Sequence, residues 1–198
     1  MILPTSPRVP LNGNNMENDK ISRLIKELLA EVDPNPTREG LSETPARVAR
    51  AFETLFGGHK QDPRDQITVF ENEGYDEMII CKDIDFYSTC EHHMLPFFGK
   101  AHIGYIPDDK IIGLSKMPRF VDIFARRLQN QERLTTQIID SIQELLQPKG
   151  LGVIIEAQHL CMLARGVQKQ NASMTTSAFR GLFKNRDKTR SEFLTLVN

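Results

Sequence analysis

The sequence predicts an α+β fold in which an antiparallel sheet carries two helices on one of its faces. Residues 78–89 and 99–106 have the pattern of strands, and residues 115–129 and 132–146 place their apolar side chains at helical spacing. Residues 151–161 then alternate as a strand does, and residues 173–179 are expected to form another strand. The order β, β, α, α, β, β within 198 residues is typical of an antiparallel sheet with helices packed on one side.

The N-terminal part divides into a tail and a helical region. Residues 1–18 contain three prolines, one glycine and little apolar periodicity, so we expect a flexible tail without chemistry. Residues 19–60 predict a helical region, because an apolar stripe begins at Ile21 and Ser42-Glu43-Thr44-Pro45 is a plausible helix start. Residues 61–198 form the main domain.

Two strands are expected first in the main domain, over residues 78–89 and 99–106, with a turn at Pro107-Asp108-Asp109. Two amphipathic helices follow, over residues 115–129 and 132–146. Pro148 and Gly150 end the second helix.

The last part of the chain is predicted to add two strands and a closing helix. The alternation over residues 151–161 places His159 and Cys161 on one face of a strand. A further strand is expected over residues 173–179 and a helix over 189–197.

The charge and the apolar content of the sequence exclude some classes of protein. The net charge is −1, which argues against a nucleic-acid-binding protein. Residues 1–109 hold 11 Lys and Arg against 19 Asp and Glu, and residues 110–198 hold 14 against 7, so the second half is basic. This asymmetry could reflect two differently solvated faces, halves or subunits that attract each other, or an anion site in the basic half. Without an apolar run of about 20 residues or a secretory start, we expect a cytoplasmic protein that does not enter a membrane.

Two sequence clusters predict a metal site. Cys90-Glu91-His92-His93 places a thiol and an imidazole three residues apart after a strand, and His159-Leu160-Cys161 offers a second pair. Zinc prefers these donors. Three protein ligands would leave a position for catalytic water, whereas Cys90, His93, Cys161 and one further histidine would form a closed structural site. A buried Cys161 without any metal is the third possibility.

Candidate anion-binding residues cluster at the start of the first amphipathic helix. Gly113-Leu114-Ser115-Lys116 precedes Arg119, and a serine-capped helix N-terminus with two cations attracts phosphate. Arg165 and Arg47 could add further positive charge, although all these cations could equally be solvated surface groups.

The start of the second amphipathic helix offers a base-recognition residue. Glu132, within Gln131-Glu132-Arg133, could simply favour the helix dipole. It could also accept two hydrogen bonds from the N–H and NH₂ edge that guanine has and adenine lacks.

Together these runs resemble GTP cyclohydrolase I. The resemblance depends on Ser88-Thr89-Cys90-Glu91-His92-His93, Gly113-Leu114-Ser115-Lys116, Gln131-Glu132-Arg133-Leu134-Thr135, and His159-Leu160-Cys161 followed by Arg165-Gly166-Val167. It implies a tunnelling fold, with residues 61–198 as the catalytic domain, assembled as a homodecamer. The implied reaction converts GTP and water into 7,8-dihydroneopterin 3'-triphosphate and formate, the first step of tetrahydrofolate and pterin biosynthesis.

The resemblance also implies roles for individual residues. Cys90, His93 and Cys161 would bind Zn²⁺, and His92 and His159 would transfer protons. Glu132 would hold the guanine edge with Gln131 beside it. The remaining substrate contacts, to the ribose and the triphosphate, would come from Ser115, Lys116, Arg119, Arg165 and Arg47, with Arg47 reaching a pocket shared between neighbouring subunits.

Other readings remain open. A pterin synthase on the same fold would use a histidine-rich metal site, and a nitrile-reducing relative would use a cysteine nucleophile. A non-catalytic assembly module with closed zinc is a further alternative. A zinc nucleobase deaminase is excluded by the absence of a Pro-Cys-x-x-Cys motif.

Overall fold

The computed structural model describes residues 14–197 and divides the chain into two compact units, Met1–Thr54 and Leu55–Asn198. The predicted tail lies outside the described residues up to residue 13, whereas its last residues already belong to the first helix.

The first unit consists of helices, as the apolar periodicity of residues 21–29 predicts. It contains α1 (Asn14–Val32), a 3-10 helix (Glu39–Leu41) and α2 (Thr44–Leu55). Two hydrogen bonds join the long helices: Asn18 Nδ2 donates to Glu53 Oε1 at 2.6 Å, and Ser22 Oγ donates to Pro45 O at 3.4 Å. Pro45 stands in the first turn of α2, where its missing N–H has no helical partner to lose.

The second unit contains the sheet predicted from the alternating segments. Its strands are β1 (Val69–Glu71), β2 (Ile79–Cys90), β3 (Pro96–Ile106), β4 (Lys110–Ile112), β5 (Leu128–Gln129), β6 (Gly150–His159) and β7 (Met174–Gly181). Its helices are a 3-10 helix (Gly57–Lys60), α3 (Pro63–Gln66), α4 (Lys116–Ala125), α5 (Gln131–Leu146), α6 (Leu160–Leu163), α7 (Leu182–Asn185) and α8 (Asp187–Val197).

Five strands form the main sheet in the order β5-β2-β3-β6-β7. The pairs β2–β3, β3–β6 and β6–β7 are antiparallel, and only the short β5 runs parallel to its neighbour β2. A separate antiparallel pair is formed by β1 and β4. The predicted α+β architecture is therefore confirmed.

The main core lies between one face of the sheet and helices α4 and α5. Alternate residues of β2, β3 and β6 point into it, as the period of a strand requires. Large side chains that are fully buried in this layer are Phe86, Phe97, Ile103, Tyr105, Phe120, Leu134, Ile138, Ile139 and Ile142. The two helices predicted for one face of the sheet are thus both present there.

The opposite face of the sheet is covered near one end by α7 and α8. Phe183 and Phe193 are fully buried there and pack with Ile154 of β6. The aromatic rings lie directly on the backbone of the sheet, because a Cβ atom built on Gly104 would be 2.6 Å from the Phe193 ring. Glycine at this position therefore permits the close approach of α8.

The strand predicted over residues 99–106 already begins at Pro96, and two further predicted boundaries beside the metal cluster are wrong. The helix predicted over residues 115–129 ends at Ala125, because the backbone of Leu128 and Gln129 pairs with Thr89 and Cys90 instead of continuing the helix. The strand predicted over residues 151–161 ends at His159, and the chain then makes the helical turn α6. At Leu128 and Gln129, long-range strand pairing therefore overrides the local helical periodicity.

The helices in the described residues are all too short or too polar to cross a lipid bilayer.

Gly104→Ala should destabilise the second unit. The added methyl group would lie 2.6–2.7 Å from two ring carbons of the buried Phe193, so the ring or the strand must move. We expect the free energy of unfolding to fall by about 1–3 kcal/mol, measured by urea denaturation. Gly57→Ala is the control, since its methyl group would meet nothing within 4 Å. Equal stability of the two variants would contradict the packing described for α8.

Candidate metal centre

The first metal-ligand loop connects β2 to β3. Cys90 ends β2 and Pro96 begins β3, and two backbone hydrogen bonds close the loop between them. Cys90 N donates to Leu95 O at 2.8 Å, and Met94 N donates to Cys90 O at 2.8 Å. Met94 adopts the left-handed conformation, with φ of 54°, which lets the chain reverse within so few residues. The loop therefore presents the side chains of residues 91–93 close to Cys90.

The second ligand segment starts where β6 ends. Phe97 of β3 is paired with His159 of β6, so the loop that precedes β3 and the turn that follows β6 lie at the same end of the sheet. Cys161 lies in the four-residue helix α6 and not, as we predicted, on a strand face shared with His159. The side chains of His159 and Cys161 therefore lie in different environments, although the residues are only two positions apart.

The structure brings Cys90, His93 and Cys161 together. Their ligand atoms all lie within 4.8 Å of one another, and Cys90 Sγ is 3.7 Å from His93 Nδ1. Two ligands of a tetrahedral zinc ion are separated by about 3.5–3.8 Å when each lies at its normal distance from the metal. The cluster therefore has the dimensions of a metal site.

The ligand group comprises three residues within the part of the chain that the structure describes. The closed site considered above would need a further histidine, but His92 and His159 do not belong to the group. His92 is exposed, with its Nδ1 at 4.0 Å from Cys90 Sγ and its Nε2 at 3.7 Å from Glu91 Oε1. His159 is hydrogen-bonded to Gln131 instead. A metal held by three protein ligands would keep a coordination position for water or substrate.

The two cysteines influence each other electrostatically. Burial raises the pKa of the Cys161 thiol, and the nearby Cys90 raises it further, because two thiolates at this distance would repel each other. Arg165 acts in the opposite direction, which places its positive charge near the cluster. A bound cation would remove the repulsion, so the donor set suits a divalent metal.

His159 is held in a defined orientation by Gln131. Its Nε2 lies 2.8 Å from Gln131 Oε1, and its ring stacks on Phe97 at 4.6 Å with an interplanar angle of 2°. Gln131 Nε2 donates to Ile155 O and Met174 O, both at 2.9 Å, which identifies the nitrogen end of this amide. The oxygen end can only accept, so His159 Nε2 must carry a proton.

The neutral form of His159 is favoured by its surroundings. Burial lowers the pKa of the imidazole, and the carboxylate of Glu132 offsets part of this effect. With the proton on Nε2, the other ring nitrogen, Nδ1, is the one that can accept a proton. Sequence reasoning did not anticipate the parts played by Phe97 and Gln131 in holding this ring.

The two substrate contacts predicted at the start of α5 differ in exposure. Glu132 is exposed in the first turn of α5, and its carboxylate has no hydrogen-bond partner among the described residues. Gln131 is 1% exposed, and its amide is fully engaged within the protein. A direct contact between this amide and a substrate would require these hydrogen bonds to break.

The predicted cations occupy three separate segments. Lys116 and Arg119 lie in the first turns of α4, and Arg165 follows α6. Ser115 occupies the N-cap position of α4, but its hydroxyl makes no capping hydrogen bond, contrary to our prediction. Arg47 is exposed on α2 in the first unit. Lys116 and Arg119 make no hydrogen bond or ion pair with the metal ligands among the described residues.

Comparison with known proteins identifies related sequences. A family model described as GTP cyclohydrolase I matches residues 21–198. The protein named GTP cyclohydrolase 1 from Chlorobium phaeovibrioides is 56% identical over 181 residues, which cover 90% of this chain and 81% of the relative. The proteins of that name from Chlorobaculum tepidum and Campylobacter lari are 59% and 52% identical, covering 87% and 91% of this chain and 78% and 95% of the relatives.

A solved structure is also similar in part. The crystal structure of the archaeosine synthase QueF-Like in the apo form aligns with a TM-score of 0.43 and 15% sequence identity, covering 52% of this chain and 93% of that chain. This likeness is too low to carry an argument, so the assignment of the chain depends on the sequence matches.

Gln131→Leu should destabilise the protein by removing the donor that Ile155 O and Met174 O share. The loss of buried hydrogen bonds, including the one to His159, should lower the free energy of unfolding by about 1–3 kcal/mol in urea denaturation. Gln143→Leu on the same helix is the matched control, because the Gln143 side chain makes no hydrogen bond in the described structure. A loss no greater than that of the control would argue against this role of Gln131.

Proposed function

The chain belongs to the GTP cyclohydrolase I family, and we propose that it converts GTP and water into 7,8-dihydroneopterin 3'-triphosphate and formate in a zinc-dependent reaction. In this reaction the imidazole ring of guanine opens, C8 leaves as formate, and the ribose carbons rearrange to close the pterin ring. The observation that carries the proposal is the convergence of Cys90, His93 and Cys161 without a fourth protein ligand among the described residues.

Zinc is the metal that the donor set favours. Two thiolates and one imidazole are soft or borderline ligands, and the spacing between Cys90 Sγ and His93 Nδ1 suits a tetrahedral ion. Cys90, His93 and Cys161 would hold the zinc, which would act as a Lewis acid and lower the pKa of water to about 7, so that a nucleophile would be available at neutral pH. An open position is what distinguishes this proposal from the non-catalytic module with a closed zinc site.

The two histidines differ in their access to solvent, which supports different tasks for them. His159 is packed against Phe97 and fixed by Gln131, so it can exchange a proton only through Nδ1. We assign it to proton transfer with the bound base, where a fixed orientation matters. His92 is exposed beside Glu91, and we assign it to proton exchange between the site and bulk water.

Glu132 is the residue that we propose for guanine recognition. Its carboxylate is exposed and free, and it lies one residue from Gln131, which holds His159. A free carboxylate can accept both hydrogen bonds from the N–H and NH₂ edge of guanine, at about 1.5–3 kcal/mol each. The position of Glu132 next to the residue that holds His159 therefore supports a site that selects guanine and positions its imidazole ring.

The triphosphate is proposed to bind the cationic residues. Lys116, Arg119 and Arg165 bring positive charge from two segments of the second unit, and Ser115 adds a hydroxyl at the start of α4. Arg47 belongs to the first unit, and we propose that it reaches a site shared between subunits of a homo-oligomer, a decamer by analogy with the family. The product would supply tetrahydrofolate and pterin biosynthesis.

Loss of a metal ligand should abolish metal binding and turnover together. We expect Cys161→Ala to retain less than about a tenth of the bound zinc and to release no measurable formate from GTP, because two ligands cannot hold the ion tightly. Cys81→Ala is the control, since Cys81 is packed against the core and lies outside the ligand group. Zinc is measured by elemental analysis and formate by an enzymatic assay. Full activity of the metal-free protein would refute the role of zinc.

Glu132→Gln should impair recognition of guanine without releasing the metal. The amide replaces one acceptor oxygen with a donor, so the affinity for GTP should fall by about tenfold or more while the zinc content stays unchanged. Affinity is measured by calorimetry at fixed zinc loading. Glu144→Gln, on the exposed side of the same helix, should bind GTP as the native chain does. An unaltered affinity in Glu132→Gln would remove this residue from base recognition.

A further inference from the structure

Glu91 connects the metal loop to the start of α5. It stands between the ligand Cys90 and the exposed His92, yet its carboxylate is hydrogen-bonded to residues at the start of α5. One carboxylate oxygen accepts a hydrogen bond from Asn130 Nδ2 at 2.9 Å, and the other accepts one from the Arg133 guanidinium. Both oxygens are therefore occupied within the protein, which agrees with the absence of Glu91 from the group of possible metal ligands.

The partners of Glu91 are themselves held firmly. Arg133 Nε donates to Gln129 Oε1 at 2.9 Å, and Asn130 caps α5 by accepting a hydrogen bond from Arg133 N at 2.8 Å. Gln129 is 1% exposed and donates to Phe124 O at 3.0 Å. The arginine fork is thus fixed before it meets Glu91, so little side-chain freedom is lost on pairing.

The backbone makes the same connection. Glu91 N donates to Gln129 O at 2.9 Å, and Cys90 is paired with Gln129 in the parallel ladder between β2 and β5. Main-chain and side-chain bonds together join the metal loop to residues 128–133. The hydrogen bonds of Arg133 and Asn130 hold the carboxylate in its charged form and lower the pKa of Glu91.

The first turn of α5 also carries the groups that face the substrate in the proposed function. Gln131 fixes the ring of His159, and Glu132 offers the free carboxylate. The metal ligands Cys90 and His93 would therefore be aligned with these groups through Glu91. We propose that Glu91, through Arg133 and Asn130, is a positioning residue that sets the metal loop relative to Glu132 and His159.

This inference rests on the proposed function and goes beyond it, because Glu91 lies outside the group of candidate metal ligands and its carboxylate is bound by Asn130 and Arg133. Removing an ion pair that has only a structural role should leave turnover unchanged. The exposed pair Asp140–Arg180 joins α5 to β7 at 2.7 Å, far along the helix from its first turn. Such surface pairs contribute little to stability, and their loss has no route to the metal loop. The Asp140–Arg180 pair therefore provides a matched control.

The test uses the zinc-loaded full-length chain and the variants Glu91→Gln, Arg133→Met and the double variant. We expect each single variant to lower kcat by about tenfold or more with KM changed by less than about threefold, since misalignment affects the transition state most. The kcat of the double variant should be no lower than that of the more impaired single variant, because the two residues act as a unit. Asp140→Asn and Arg180→Met should keep kcat within about twofold of the native value.

Two further measurements separate positioning from general loss of structure. With Co²⁺ in place of zinc, the visible absorption bands should shift in Glu91→Gln and stay unchanged in Asp140→Asn. Asn130→Ser preserves a good helix cap while removing the amide donor to Glu91, so it should lower kcat in the same direction without unfolding the helix.

The inference is overturned if Glu91→Gln, Arg133→Met and Asn130→Ser all match the Asp140→Asn control in kcat and in the Co²⁺ spectrum. It is also overturned if the effects of Glu91→Gln and Arg133→Met simply multiply in the double variant. Failure of the proposed function has a different signature, because the native chain itself would then bind no metal or release no formate.

Discussion

The register between β3 and β6 is the constraint on which the site depends. Phe97 is paired with His159, so the loop before β3 and the turn after β6 emerge side by side at one end of the sheet. A slip by one residue would turn every side chain of β6 to the other face and separate the ligands. Gly99 supports this register, because a Cβ atom there would lie 1.9 Å from Glu156 O on β6. The register between β3 and β6 thus determines both the packing of the sheet and the convergence of the ligands.

The first turn of α5 is the second fixed element, and helical geometry lets it serve several tasks at once. Successive residues of a helix point about 100° apart, so neighbouring side chains reach different surroundings. Gln131 is directed into the protein toward His159, Glu132 toward solvent, and Arg133 toward Glu91. The buried side of α5 anchors this turn, since Leu134 and Ile138 are fully buried in the main core.

Local patterns predicted much of the fold, because strand alternation and helical periodicity depend on neighbouring residues, and the Cys90-x-x-His93 spacing indicated two of the three candidate metal ligands. The interactions that organise the site are not local. The pairing of Gln129 with Cys90 joins segments 39 residues apart in sequence, and nothing in the helical pattern around Leu128 indicates it. The resemblance placed Gln131 beside the guanine edge, but its partners on β6 and β7 become visible only in three dimensions.

The metal cluster links folding to the proposed chemistry. Cys90 and His93 belong to the β2–β3 loop and Cys161 to the turn after β6, so an ion bound by all three would fasten two segments that the sheet merely brings close. Burial and mutual repulsion raise the pKa of the Cys161 thiol, and a cation must displace the thiol protons to bind. The affinity for metal therefore depends on how closely the fold already holds the two thiols. A substitution that loosens the β3–β6 register would weaken metal binding without touching a ligand, and stability and metal affinity should change together.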